Sequence, residues 1–360
     1  MNGAVNELSL EPLGAGDLID RAVRLYRRHF LTLIRIAAPP VLVSAVGSTV
    51  TTIAFRELTT TSSGLRVGLS VLALISGWAI IICGALFSLI VMGGATRNLV
   101  SHLIWGEPVS VRTTYSAVKT RFWGLLWASV LVGLWLMVAG SVATMAGWFL
   151  AIIVFVAIGV ASTFSTWISV IVGGVGMVVA IAVGLIVFFL LAGRLAYVPQ
   201  TMLVEGRGVF SAISRSISLA SGNVRRLMAM ALFTLFATYS ALMLLMIPLG
   251  WYGYLNGVDL SPFGATWPTW YAIGYQVILQ CSHITLAPIW MLGLSLLYVD
   301  ERVRHEGYDI ELMAARQLPE MPTLPGVVSP FAPALVTGRA PNFVPPPPGQ
   351  IQTGNVLGLG

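Results

Sequence analysis

"FWGLLWASVLVGLWLMVAGSVATMAGWFLAIIVFVAIGVASTFSTWISVIVGGVGMVVAIAVGLIVFFLLAG", residues 122–193, runs for 72 residues without a charged side chain. A bilayer core takes about 20 apolar residues of helix, so the run exceeds a single crossing several times over. At about 1.5 Å per residue it makes either three ordinary spans or two long ones joined at a polar bend such as "ASTFSTW", residues 161–167. Four further apolar stretches, residues 31–55, 67–94, 226–249 and 273–298, are each long enough to cross once. With 57% hydrophobic residues, 9% charged and a mean hydropathy of +0.87, the chain is too oily to close as a soluble globule. It reads as an all-α integral membrane protein.

Charge decides between two and three crossings, because cytoplasmic flanks collect Lys and Arg while exported flanks do not. With a cytoplasmic N-terminus and two crossings in the long run, 16 of the 20 basic residues fall inside, from Arg21 before span 1 to Arg316 after span 6. Only Arg56 and Arg66 then face outward, and "GWYGYLNGVDLSPFGATWPTW", residues 250–270, carries no basic residue. A third crossing puts Arg207, Arg215, Arg225 and Arg226 outside, against the rule. Six spans with both termini cytoplasmic is therefore the expectation, in the cytoplasmic (inner) membrane of a bacterium. Spans 3 and 4 are then about 30 residues each, longer than the core requires, and must tilt, kink or project.

The N-terminus "MNGAVNELSLEP" has two glutamates and no positive n-region, so span 1 is expected to direct insertion. Cys83 and Cys281 both sit in apolar runs and are expected to be packing residues. Beyond Leu318 the composition turns to prolines, including "VPPPPG", and residues 317–360 are expected to form a disordered or extended Pro-rich tail, most simply a tether. A genome rich in G and C is the plainest source of the arginine bias in the net charge of +6, and no nucleic-acid partner is expected.

In "EPLGAGDLIDRAVRLYRRHF", residues 11–30, a helical wheel separates two arcs completely. Leu18, Ile19, Ala22, Val23, Leu25, Tyr26, His29 and Phe30 form one. Asp17, Asp20, Arg21, Arg24, Arg27 and Arg28 form the other, with the acids at the expected helix N-terminus and the arginines toward the negative end of its dipole. Such a helix, opening into a spanning segment, should lie in the cytoplasmic interface with its arginines among lipid phosphates, each adding on the order of 1 kcal/mol near an anionic surface. The simpler alternative is that Arg21, Arg24, Arg27 and Arg28 only set orientation. Phospholipids are thus expected partners.

The design recurs faintly. A shift of 194 pairs Gly14 with Gly208, Arg21 with Arg215, Leu25 with Leu219 and His29 with Asn223, and a shift of 92 pairs Phe30 with Phe122 and Leu33 with Leu125. These pairings suggest three units, residues 1–30 and 31–316 containing an interfacial helix ahead of each of three transmembrane hairpins.

"LSLEPLGAGDLIDRAVRLYRRHF" and "GRLAYVPQTMLVEGRGVFSAISRSISLASGNVRR", the latter through Arg194, Pro199, Glu205, Gly206, Arg215, Ser216 and Gly222, resemble the bacterial family called the membrane domain of glycerophosphoryl diester phosphodiesterase. "LLYVDERVRHEGYDIELMA" is similar to that family's closing segment. The resemblance covers roughly residues 7–315, and residues 122–193 are longer than the corresponding family region. It implies a six-span module, sometimes fused to a phosphodiesterase domain.

A phosphodiesterase needs a soluble barrel of around 250 residues, for which this chain has no room. Its four histidines are scattered, most of its acids lie beside arginines at helix ends, and no phosphate-loop, zinc-protease or nucleophile-elbow motif is present. No enzymatic activity, metal or cofactor is expected. The unusual intramembrane feature is "YQVILQCSHITLAP", where Gln276, Gln280 and His283 share one face of span 6. Buried polar groups in lipid must find partners, and an interhelical hydrogen-bond network is the plain reading against a ligand or proton site. Arg35 most simply snorkels to the interface. Gly176, Ala180 and Gly184 offer a small-residue surface for close helix packing. The expected function is a scaffold or accessory subunit working with other membrane protein subunits. A transporter or channel-like permease for a small or lipid-derived substrate is the alternative, and an intramembrane lipid enzyme comes third. The sequence does not speak to homo-oligomers.

Overall fold

A computed structural model describes residues 14–60, 63–105, 108–258 and 267–306. The expected tail, residues 317–360, lies outside them. Every element among the described residues is helical, and six helices are long and apolar enough to cross a membrane. They pair as three hairpins: α2 (Phe30–Thr60) with α3 (Gly64–Trp105), α5 (Phe122–Ser162) with α6 (Thr166–Ala192), and α9 (Val224–Leu255) with α10 (Thr269–Glu306). Short helices precede each hairpin: α1 (Ala15–Arg28), α4 (Val111–Thr120), and α7 (Val198–Val204) with α8 (Val209–Leu219).

The 72-residue run forms two long helices, not three. Its bend is Thr163–Ser165, inside the polar heptapeptide, because Ser and Thr side chains bond locally to backbone that leaves the helix: Thr163 Oγ1 donates to the Val160 carbonyl at 2.6 Å. The repeat also has a structural counterpart. Gly14 and Gly208, 194 residues apart, are both helix N-caps, and α2 and α9 begin at the same separation.

α2 supplies a ruler. Twenty residues lie between Arg35 and Arg56, about 30 Å of helix, which is the thickness of a hydrocarbon core. Close contacts carry that ruler to other helices. A Cβ on Gly84 would lie 2.2 Å from Ser44 Oγ and one on Gly77 2.9 Å from Thr51 N, so α2 and α3 touch backbone to backbone. This pairing places the level of Arg56 near Leu72 on α3. Gly133 on α5 faces Leu86 of α3, which brings the same level to about Gly147 on α5.

The second hairpin therefore outruns its neighbours. From Trp148 to Ser162 α5 continues about 22 Å past that level, with α6 alongside. Instead of about 30 residues, α5 has 41, while α6 has 27. The projecting surface is apolar: Trp148 is 68% exposed, Phe155 76%, Phe164 77% and Trp167 78%. Gly176, Ala180 and Gly184 serve this hairpin internally. A Cβ on Gly176 would meet Val154 at 2.6 Å, and Gly184 approaches the Ala143 carbonyl.

The core lies at the opposite, arginine-rich end. Met291 to Val303 of α10 are buried there almost without interruption, packed by α1, α3, α8 and α9. α1 carries the expected amphipathic pattern, with Leu18, Ala22, Leu25 and Tyr26 buried. Protein, chiefly α10, covers these four residues, while Phe30 at the end of the arc stays exposed. Arg24, Arg27 and Arg28 are exposed while Arg21 is half-buried. Cys83 and Cys281 are both free and exposed, so the expectation that they pack inside the bundle fails: each falls on an outward face of its helix.

Candidate functional site

Two polar clusters stand out, one at each depth of the bundle. The first ties the arginine-rich end together around three buried carboxylates. Glu205 caps the C-terminus of α7 and is 1% exposed at its side chain. It accepts from Arg207 Nε at 2.7 Å, Arg215 Nε at 3.1 Å and the Tyr298 hydroxyl at 3.0 Å, with Arg302 Nε at 3.8 Å. Asp300 accepts from Arg226 and from Arg304, the latter at 2.9 Å. Glu301 accepts from Arg226 and lies 3.4 Å from His305 Nε2. Arg302, fully buried, also sits over the Tyr298 ring at 5.8 Å.

The seven residues carrying the family resemblance fall in this region. Ser216 donates to the Arg194 carbonyl at 2.9 Å and accepts from the Tyr197 amide at 3.1 Å, pinning α8 to the turn before α7. Pro199 opens α7, where a missing N–H costs nothing. Gly206 and Gly222 adopt φ of +69° and +85°, a left-handed conformation that favours glycine, and end α7 and α8 sharply. Arg121 Nη1 then reaches the Gly206 carbonyl at 2.7 Å. The arrangement is suited to holding helices in register. A buried charge network of this type specifies partners more than it adds net stability, while loss of one member is costly.

Nearby, α1 meets the bundle. Tyr26 donates to the Thr285 carbonyl at 2.6 Å, and burial raises the Tyr26 phenol above its ordinary range. Burial also lowers Arg21, repulsion from Arg24 adding to the shift and attraction to Asp300 opposing it. The His29 and His102 rings meet edge to face, with centroids 5.2 Å apart, and burial chiefly holds His29 below 6.5.

The second cluster lies midway along the spans. Gln276 and Gln280 on α10 both donate to Ser48 Oγ on α2, at 2.6 and 2.8 Å, and Ser48 donates onward to the Ala45 carbonyl at 3.0 Å. The expected interhelical network thus exists for the two glutamines. His283 stands apart from it and lines a cavity of about 460 Å³. Among the described residues no three His, Cys, Asp or Glu side chains group to hold a metal ion.

Sequence reading missed Arg226, Asp300, Glu301 and Arg302 as a unit. Their one local signal was "DERVR", residues 300–304, a dense charge run directly after an apolar span. It also missed Ser48, an unremarkable serine until α10 is placed beside it.

Fold and clusters together define a helical membrane protein with six candidate spans, knotted by charge at one end. A scan against protein-family models, a search of curated proteins and a search of solved structures each return no match.

Proposed function

We propose that the chain is a non-catalytic scaffold or accessory subunit of a larger assembly in a bacterial inner membrane, its charged knot cytoplasmic and its α5–α6 hairpin exported. The observation that carries this reading is the projecting hairpin. About 22 Å of apolar helix past the level of Arg56 leaves large side chains such as Phe155 and Trp167 exposed, and contiguous apolar surface of that kind marks an interaction site. The positive-inside rule supports the orientation. Arg24, Arg27 and Arg28, exposed on α1, are placed to meet anionic phospholipid headgroups.

Photo-crosslinking residues in place of Trp148, Phe155 or Trp167, with Phe236 on α9 as a membrane-level control, test the reading in native membranes. Discrete protein adducts at the three hairpin positions alone are expected, within a complex of fixed stoichiometry. Lipid adducts at all four positions would overturn it. The second reading, a permease for a small or lipid-derived substrate, has its own support in the cavity at His283, and entry of water-soluble thiol reagents to a cysteine at position 283 would favour it.

A further inference from the structure

The cavity beside His283 is formed by α2, α3, α9 and α10 and is lined by Ser44, Ser88, Thr234, Thr238, Gln280 and His283 over an apolar floor. Its depth follows from the ruler: Ser44 and Ser48 flank the midpoint between Arg35 and Arg56, and Ser48 is level with Gln276 and Gln280. So many polar side chains at the bilayer centre are costly unless satisfied. The network at Ser48 gives each glutamine one partner. Thr234 and Thr238 donate to carbonyls one turn back in their own helix, leaving lone pairs free to accept. The hydroxyls of Ser44 and Ser88 and the imidazole of His283 make no hydrogen bond to another described residue, and Ser88 and His283 are exposed.

α3 and α9 both line the cavity at acyl-chain depth and make no extended contact with each other, while α5 packs on α3 and α6 on α9. No charged side chain lines it. A charged or zwitterionic headgroup drawn there would be stripped of water with nothing to pair it, whereas a hydroxyl would find both donors and acceptors. The volume falls within the range of about 300–1,000 Å³ that small-molecule sites occupy.

We propose that this cavity is a lateral binding site for a neutral lipid whose polar end is a hydroxyl group, of the diacylglycerol class. The His283 ring and the Ser44 and Ser88 hydroxyls receive the lipid hydroxyl, and the acyl chains leave between α3 and α9. The site is independent of the hairpin surface and of any partner bound there.

The test uses the full chain in phosphatidylcholine nanodiscs with a photoreactive dioleoylglycerol probe. Adducts are expected on residues lining the cavity, displaced by unlabelled dioleoylglycerol and untouched by added phosphatidylglycerol. The double variant Ser44→Ala with His283→Leu should weaken apparent affinity about tenfold, the loss of roughly two hydrogen bonds. Ala85→Trp, which fills the cavity from α3 without removing a polar group, should abolish labelling. Equal competition by phosphatidylglycerol, adducts spread evenly over the α5–α6 surface, or wild-type labelling of either variant would each overturn the proposal. The competition arm needs no variant and stands even if both variants misfold. Rapid reaction of His283→Cys, in a chain with Cys83→Ala and Cys281→Ala, with a membrane-impermeant thiosulfonate would also overturn it, by showing an aqueous path.

Discussion

The hydroxyl of Tyr115 on α4 donates to the Ile36 carbonyl of α2 over 2.9 Å. Ile36 stands four residues before Pro40, which lies inside α2 and has no N–H to offer that carbonyl. A side chain 79 residues away thus replaces the bond that proline removes, and a helix outside the spans is fastened to one that crosses.

Tyr115→Phe should strand that carbonyl and lower stability by about 1–2 kcal/mol, with the ring packing against Phe87 retained. Thermal unfolding in a mild detergent measures the loss. An unchanged midpoint would mean that water serves the Ile36 carbonyl equally well.

Glu205→Ala should be among the most damaging single changes, at about 3–5 kcal/mol, because it leaves Arg215 and the fully buried Arg302 without their shared carboxylate. Glu205→Gln keeps the shape and an acceptor and should recover part of the loss. Yield of monodisperse protein and unfolding temperature report both.

His29 should give stability a pH-dependent component. Burial, with the nearby His102 ring and Arg28, holds His29 below 6.5 in the folded chain, so the unfolded chain takes up its proton first. This contribution is complete above pH 6.5 and declines as pH falls through 6.5 toward the lower folded value. His29→Gln should flatten the dependence of unfolding temperature on pH across that window. A slope equal to the wild type's would assign the effect to another group.

Two glycines on α6 form a matched pair. A Cβ on Gly176 would lie 2.6 Å from Val154, whereas one on Gly174 meets nothing within 4 Å. Gly176→Ala should therefore destabilise the hairpin by about 1–3 kcal/mol, while Gly174→Ala should be neutral or slightly stabilising through its helix propensity. Equal effects at both sites would mean the two helices do not pack as described.

Converting Arg24, Arg27 and Arg28 together to glutamine should leave unfolding temperature in neutral detergent nearly unchanged, because these side chains are exposed and the Arg24–Asp20 pair at 2.7 Å is solvated. The extra stability conferred by anionic lipid should fall, by on the order of 1 kcal/mol per arginine. Wild-type stabilisation by phosphatidylglycerol in the triple variant would remove these arginines as headgroup contacts.

Much of the architecture was legible along the chain. Hydropathy counted the six candidate spans, the scarcity of polar residues in 122–193 singled out residues 161–167 as the bend, and helical periodicity placed both arcs of α1. These features follow from the local composition of each segment and the period of a helix, so neighbouring residues suffice to reveal them. Partnership was another matter. That α10 covers the apolar arc of α1, that Gln276 and Gln280 converge on Ser48, and that Arg226 bridges Asp300 and Glu301 depend on which helices lie side by side and in what register. Close approach at glycines and the reach of single side chains fix that register across hundreds of residues. Hydropathy carries no trace of it, and tertiary packing alone decided where the scarce charges meet.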